Sequence, residues 1–305
     1  MRVTFLGTSG AVPTTQRAPS AVLVNREGER FLFDCGEGTQ RQMMRFGTGF
    51  DVSHIFVTHL HGDHILGIPG LIQSLDFNDR TDPLAIHVPP RSRGAIEDLV
   101  HAGGHRPGYP VRIHEVSPGS VAYDAEDFLV RTVETEHRTR SMGYALVEDD
   151  RPGRFDREHA EELGVPVGPK FGRLHGGESV ELDDGRVIDP DQVVGDPRPG
   201  RKLVYTGDTR PVEAVVEAAA DADLLIHDAT FADDEVERAR QTGHSTAREA
   251  AEVAARAGAA RLALTHLSSR YAGRWTELQR EARGAFDGEC FVASDGQTVD
   301  VPYPA

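Results

Sequence analysis

Three histidines and an aspartate fall within six positions of the segment Thr58-His59-Leu60-His61-Gly62-Asp63-His64. Imidazole nitrogens and carboxylate oxygens, with no thiolate beside them, suit zinc or a similar divalent ion better than a cysteine-rich structural site. The preceding run, Ser53-His54-Ile55-Phe56-Val57-Thr58, reads as a strand, so the histidines leave its end in a loop. In near-extended backbone, residues two apart face the same side, which lets His59 and His61 close on one ion. Asp63 and His64 then project elsewhere and can reach a second. The plain alternative is a polar surface loop rich in histidine, which four donors packed at one strand end disfavour.

Four donors cannot complete two coordination shells, so the rest of the chain must supply more. Three candidates each stand at an expected strand end: His137 after Val133-Glu134-Thr135-Glu136, Asp208 in Tyr205-Thr206-Gly207-Asp208-Thr209, and His266 in Leu264-Thr265-His266-Leu267. His244 lies in Gln241-Thr242-Gly243-His244-Ser245-Thr246-Ala247, just before a helix whose first turn it could bond. His227 could orient a ligand or simply pack in the core. His54, His87, His101, His105, His114, His159 and His175 are expected to be solvated or locally bonded.

The elements that must position these donors can be read from periodicity. Strands are expected at Arg2–Leu6, Ser20–Val24, Arg30–Asp34, Ile55–Thr58, Leu84–Val88, Val111–Val116, Phe128–Glu134 and Ser141–Glu148. Leu203–Thr206, Leu224–His227, Arg261–Thr265 and Cys290–Ala293 complete the set. Helices are expected around Gln42–Phe46 and at Gly67–Phe77, Ser92–His101, Val212–Ala220, Thr246–Arg256 and Trp275–Phe286. Thr246 or Ser245 is the expected N-cap, with Glu249 in a capping-box position. Periodicity alone gives a mixed α/β chain. Residues from about Asp149 to Pro199 differ, being rich in Pro, Gly, Arg and Asp, and read as an arm standing off the main body.

Composition bounds the possibilities. The 305 residues suffice for a large core, and 38% hydrophobic with 27% charged residues excludes wholesale disorder. No apolar run reaches the roughly 18 residues of a membrane span. With only Cys35 and Cys290, a disulfide framework is not expected and a reducing cytoplasm is. The net charge is −16, and Lys170 and Lys202 are the only lysines. An acidic, lysine-poor surface suits molar salt and points to a halophilic source. It also opposes a polyanionic substrate, although at 1 M salt the Debye length is about 3 Å and long-range repulsion largely disappears.

The Thr-His-x-His-x-Asp-His pattern resembles the signature of the metallo-β-lactamase superfamily. Phe5-Leu6-Gly7-Thr8-Ser9-Gly10-Ala11-Val12-Pro13-Thr14 and Phe33-Asp34-Cys35-Gly36-Glu37-Gly38-Thr39-Gln40 are similar to the ribonuclease Z family of tRNA 3′-processing endonucleases within it. The resemblance runs along almost the whole chain. It implies one domain, 1–305, in which two sheets pack together with helices outside (an αββα sandwich), and an inserted flexible arm at 150–198. It further implies two Zn²⁺ per subunit, replaceable by Mn²⁺ or another divalent ion: His59, His61 and His137 hold one, Asp63, His64 and His266 the other, and Asp208 bridges them. Two such ions roughly 3.5–4 Å apart lower the pKa of a shared water toward 7.

By the same resemblance Asp63 accepts the proton of the attacking water, His244 is the general acid, and Asp295, in Ala293-Ser294-Asp295-Gly296, supports the histidine side of the site. Gly168, Pro169, Lys170 and Arg173 fall in a Gly-Pro-rich exosite that grips the tRNA elbow, with Arg151, Arg154 and Arg157 adding positive charge. The implied reaction removes the 3′ trailer of precursor tRNA just after the discriminator nucleotide, leaving a tRNA 3′-hydroxyl and a 5′-phosphorylated trailer. A homodimer is implied, in which one subunit's arm serves its partner's active site. Two other classes stand beside this reading: a small-molecule phosphodiesterase or arylsulfatase on the same scaffold, and a non-catalytic RNA-binding protein. The arm speaks against the first, and a full set of seven ligands against the second.

Overall fold

The computed structural model describes residues 1–304. Its first sheet is built from β1 (Arg2–Gly7), β2 (Ala21–Arg26), β3 (Glu29–Phe33), β4 (His54–Phe56), β5 (Leu84–Val88) and β6 (Val111–Glu115). Helices α1 (Thr39–Phe46), α2 (Gly62–Ile65), α3 (Ile68–Phe77) and α4 (Arg93–Val100) lie between these strands in the chain. Then come β7 (Val121–Asp124), β8 (Phe128–Glu134) and β9 (Met142–Glu148), and an inserted segment with α5 (Arg157–Glu162), α6 (Pro169–His175), β10 (Val180–Glu181) and β11 (Val187–Ile188). The chain continues through β12 (Lys202–Tyr205), α7 (Glu213–Ala218), β13 (Leu224–Asp228), α8 (Val236–Thr242), α9 (Ala247–Ala257), β14 (Arg261–Thr265), α10 (Trp275–Arg283), β15 (Glu289–Val292) and β16 (Thr298–Asp300).

Seven strands in the order β16-β1-β2-β3-β4-β5-β6 form one sheet, and seven in the order β15-β14-β13-β12-β9-β8-β7 the other. The central strands are buried on both faces, and period-2 alternation sorts their residues into two different cores. Phe31 and Phe33 of β3, Phe56 of β4, Leu203 and Tyr205 of β12, and Leu224 and Ile226 of β13 share one core, in which Phe33 stacks on Phe56 at 5.1 Å. The intervening Leu32 and Ile55 pack with Met43, Leu71 and Ile96 of α1, α3 and α4. On the other sheet Val204, Leu225 and Leu264 pack with Val215, Val253 and Leu278 of α7, α9 and α10. Four layers, αββα, follow from that sorting.

The expected strands and helices of this body are present, with shifted ends. Four elements were not legible, the single turn of α2 within the expected histidine loop among them. The short strands β7 and β16 are half-exposed and lack a long apolar run, and α8 has only one buried residue, Ala239.

Residues Glu148–Arg201, with Tyr303 and Pro304, form a second compact unit. It has its own small core of Ala160, Val165, Leu174, Val180, Leu182, Ile188 and Val193. Its two ends are closed by a buried two-pronged pair, Arg201 Nε and Nη2 donating to Glu148 Oε2 and Oε1 at 2.7 Å each. Arg157 pairs with Glu161, Arg173 with Glu178, and Lys170 donates to the Glu181 carbonyl at 2.6 Å with Asp183 beside it. Residues 148–201 carry eight Lys/Arg against fourteen Asp/Glu, a net of −6. The positive arm expected from Arg151, Arg154, Arg157, Lys170 and Arg173 is therefore an acidic one, because carboxylates outnumber the cations and pair with Arg157, Lys170 and Arg173.

Candidate active site

The candidate donors leave the carboxyl ends of four strands and meet beyond the edge of both sheets, where α/β folds place ligands. His59 follows β4, His137 follows β8, Asp208 follows β12 and His266 follows β14. The backbone is extended at His61 and then turns into α2, so Asp63 and His64 sit on a helical turn rather than in open loop. Close approach fixes the surroundings. Gly207 has φ 59°, and a Cβ there would meet the Thr58 side chain at 2.6 Å. A Cβ on Gly10 would strike the His266 imidazole at 2.7 Å.

Two groups of donors result. In the first, His59 Nε2 lies 2.9 Å from His61 Nδ1, and His137 Nε2 lies 3.3 Å from the same atom. Asp208 Oδ2 is 3.5 Å from His59 Nε2 and 3.8 Å from His137 Nε2. In the second, His64 Nε2 and His266 Nε2 are 3.3 Å apart, and Asp63 Oδ2 is 3.5 and 3.3 Å from them. Asp208 Oδ1 lies 3.3 Å from His64 Nε2 and 3.1 Å from His266 Nε2. A tetrahedral zinc with bonds of about 2.0–2.1 Å sets its ligand atoms roughly 3.3 Å apart, so both groups have the required edge length.

Asp208 supplies the stronger test of fit. Its side chain is 1% exposed, and neither carboxylate oxygen has a hydrogen bond. A buried, unpaired carboxylate costs several kcal/mol. One oxygen turned to each group of imidazoles is the arrangement in which two cations would offset that cost. His/Asp clusters of this kind hold divalent metal ions.

The outer nitrogens are held as ligating imidazoles usually are, each by one acceptor or hydroxyl. His64 Nδ1 lies 2.7 Å from Asp34 Oδ2, His137 Nδ1 donates to the Gly243 carbonyl at 2.8 Å, and His59 and His266 Nδ1 meet the hydroxyls of Thr58 and Thr230. Asp34 is fully buried and also accepts from Thr58 N, Thr58 Oγ1 and Tyr205 Oη. It sits at φ 56° and His266 at φ 58°, the left-handed region that non-glycine residues occupy at a cost. The positioning roles of Asp34 and Thr230 were missed. Asp34 lies in the Phe33-Asp34-Cys35-Gly36 stretch, but nothing in the sequence shows which histidine it reaches.

Burial pushes the pKa of His59, His61 and His137 down, which favours the neutral donor form. Burial also disfavours charged His64, but Asp208 and Asp34 more than offset this and hold it well above its usual value. A metal bound there would displace that proton. Burial pushes the Asp63 carboxyl up, yet hydrogen bonds from His266 and His64 leave it far below the carboxylate range. Ala11 N donates to Asp63 Oδ2 at 2.7 Å.

His244 stacks on His266 at 5.1 Å and lies 5.0 Å from the His137 ring. Its Nδ1 is 2.8 Å from Asp228 Oδ2. Burial lowers its pKa, but the Asp228 charge and hydrogen bond win and raise it to about 9. Asp208, Asp228, His244 and His266 also lie within reach of a single ion, but the Asp228–His244 bond occupies the atoms that would coordinate it.

One expectation changes, that for Asp295, and the structure chooses between the alternatives left open for His227, His54 and His87. His227 does not turn to the site: its Nδ1 faces the Asp228 carbonyl and its Nε2 is buried unpaired, while the next residue, Asp228, does the orienting. Asp295 touches no candidate donor; it accepts from Thr8 Oγ1, Ala18 N and Gln42 Nε2, and so ties down the loop that carries Ala11. His54 and His87 take the locally bonded alternative, stacked between strands with their ring nitrogens 2.9 Å apart.

Comparison with known proteins places the chain in a family. Residues 1–151 match the family model described as anti-Pycsar protein Apyc1, and residues 192–267 match the beta-lactamase superfamily domain. Ribonuclease Z of Haloferax volcanii is 72% identical, over 99% of this chain and 96% of that protein. Ribonuclease Z of Halorubrum lacusprofundi is 67% identical, over 100% and 98%. The crystal structure of the short form of human tRNase Z superposes with a TM-score of 0.72 at 29% identity, covering 99% of this chain and 100% of that one. Sandwich and donor set together define a hydrolase of the metallo-β-lactamase superfamily. Within it, identity sustained over the whole length decides the matter: the chain belongs to the ribonuclease Z family.

Proposed function

We propose that the seven side chains hold two zinc ions, His59, His61 and His137 around one, Asp63, His64 and His266 around the other, with Asp208 shared between them. The observation that carries this is the Asp208 carboxylate, buried without a hydrogen bond and presenting one oxygen to each group of imidazoles. Manganese or another divalent ion would fit the same donors. Membership of the family makes the protein an endoribonuclease that processes the 3′ end of tRNA. When bound, the ions supply Lewis acidity toward the phosphate and an ionised water near neutral pH.

The chain's own groups then move the protons. Asp63, ionised and held by Ala11 N, takes the proton of the water that attacks phosphorus. The bond from phosphorus to O3′ of the discriminator nucleotide breaks, and the 5′-phosphate leaves with the trailer. His244, protonated through its contact with Asp228, gives its proton to O3′, which becomes the tRNA 3′-hydroxyl. The arm of 148–201 supplies the tRNA exosite through the turn at Gly168 and Pro169 with Lys170 and Arg173. As an acidic unit it would recognise shape and backbone more than charge.

We place the enzyme in the cytoplasm as a homodimer. Both cysteines are free and buried, and among the described residues no helix is long and apolar enough to cross a membrane. Phe77 of α3 is 89% exposed and Met44 of the neighbouring α1 is 70% exposed, apolar surface that a second copy would cover. The test is incubation in molar KCl with Zn²⁺ or Mn²⁺ and a 3′-extended pre-tRNA, with the mass in solution measured alongside. Cleavage after the discriminator base by a dimer holding two ions per subunit is expected. Hydrolysis of small esters alone, or binding without cleavage, contradicts the reading.

A further inference from the structure

The general-acid reading leaves one question open: what keeps His244 in register with donors that come from other strands. Its own bonds tie the loop mainly to α8, Phe231 and Asp228, and the link to the Asp208 loop runs through Arg210, two residues after Asp208. Arg210 Nη1 and Nη2 donate to Glu249 Oε2 and Oε1 at 2.7 and 2.5 Å, and Nη1 also reaches the His244 carbonyl at 2.5 Å. The pair is largely buried, with side-chain exposures of 13% and 15%. Glu249 does two things at once, since Oε2 also accepts from Thr246 N to complete the capping box at the start of α9. Around this pair the backbone is stitched further. Ser245 Oγ donates to the Thr209 carbonyl, Thr209 N donates to Asp228, Glu136 N donates to Thr209 Oγ1, and Arg210 N donates to the Glu136 carbonyl. The loops bearing His137, Asp208 and His244 are thereby fastened at Thr209 and Arg210.

We infer that Arg210 and Glu249 are positioning residues for the proton-donating step: their two-pronged ion pair clasps the His244 loop to the Asp208 loop and holds His244 where it can protonate the leaving oxygen. This rests on His244 being the general acid. Only a planar guanidinium can face a carboxylate with two bonds and a carbonyl with a third, so lysine cannot replace it. The capping function of Glu249 is separable, because glutamine at the same helical position still caps.

The experiment compares two substrates with one set of variants: Arg210→Lys, Glu249→Ala, Glu249→Gln and His244→Ala. Pre-tRNA has an alkoxide leaving group that needs a proton, whereas bis(p-nitrophenyl) phosphate releases a stable phenolate that does not. Metal content and melting temperature are recorded for each variant, so that unfolding or metal loss is seen directly. A misplaced acid costs about 10–100-fold. Arg210→Lys and Glu249→Ala are therefore expected to lower kcat on pre-tRNA by that factor, with KM and aryl-ester turnover within about twofold. Glu249→Gln, which keeps the cap and one bond to Arg210, should restore most of the rate.

Equal losses on both substrates, or no loss on pre-tRNA, overturn the clasp. His244→Ala separates the two ideas. If it impairs both substrates equally, the acid reading itself fails and the clasp falls with it. If it impairs pre-tRNA selectively while Arg210→Lys and Glu249→Ala do not, only the clasp is lost.

Discussion

The metal-ligand cluster and the inserted arm are built by opposite means. In the cluster, seven donors from separated places in the chain converge where strands end, their ligand atoms close enough to hold metal ions. In the arm, one continuous stretch folds on a core of seven small and aliphatic side chains, and its charged residues pair with their neighbours. The arm carries a net −6 where a grip on RNA suggested the reverse. Conversely, the body has exposed arginines with no ion pair among the described residues, Arg41 and Arg45 on α1 and Arg138 beside His137. The lesson is that residue identity specifies a coordination sphere, while a binding surface depends on which charges remain unpaired after folding.

The sharpest way to break the comparison is at its centre. Asp208→Asn should remove metal and lower pre-tRNA cleavage by at least about three orders of magnitude, since water activation depends on the ions. Cleavage and metal content measured together would show it, and tRNA binding should persist. Deleting residues 155–190 should do the reverse. Pre-tRNA cleavage should fall by about 10²-fold or more, because remote binding energy is lost, while a small phosphodiester is hydrolysed within about twofold of the parent rate. Equal loss of both activities would dissolve the distinction between the regions.

A pH profile sharpens it further. His244 is raised above its usual value, so it is protonated below about pH 9 and loses its proton above. The single-turnover rate should therefore fall about tenfold per pH unit above that value, and tRNA affinity should not. Its contribution to stability has the same sign, present in full below about pH 6.5 and lost as the pH rises through the folded value. The smallest effect belongs to the arm. Lys170→Ala and Arg173→Ala should each weaken pre-tRNA binding by only about two- to fivefold, as expected for exposed groups already paired.

The strands and the cluster were legible because their signals are local and redundant, whereas the sandwich was implied only by the family resemblance. Alternation marked the strands, and a donor stood at the end of four of them, so His137, Asp208 and His266 could be named without knowing how the sheets pack. What supports them was not legible. Asp34, Thr230 and Asp228 are ordinary residue types whose importance appears only when a turn at φ 56° or a neighbouring strand aims them at an imidazole. Glu249 was readable as a helix cap, and its second partner, Arg210, lies 39 positions away. The sign of the arm's charge was misjudged because its cations were noted and the interleaved carboxylates were not weighed against them.

The claim on which the rest depends is that two ions share Asp208. Anomalous diffraction at the zinc edge from crystals of the zinc-loaded protein tests it directly. Two peaks are predicted, one bonded to His59, His61, His137 and Asp208, the other to Asp63, His64, His266 and Asp208. A single peak, or a second ion that leaves either Asp208 oxygen without a metal, would contradict the account.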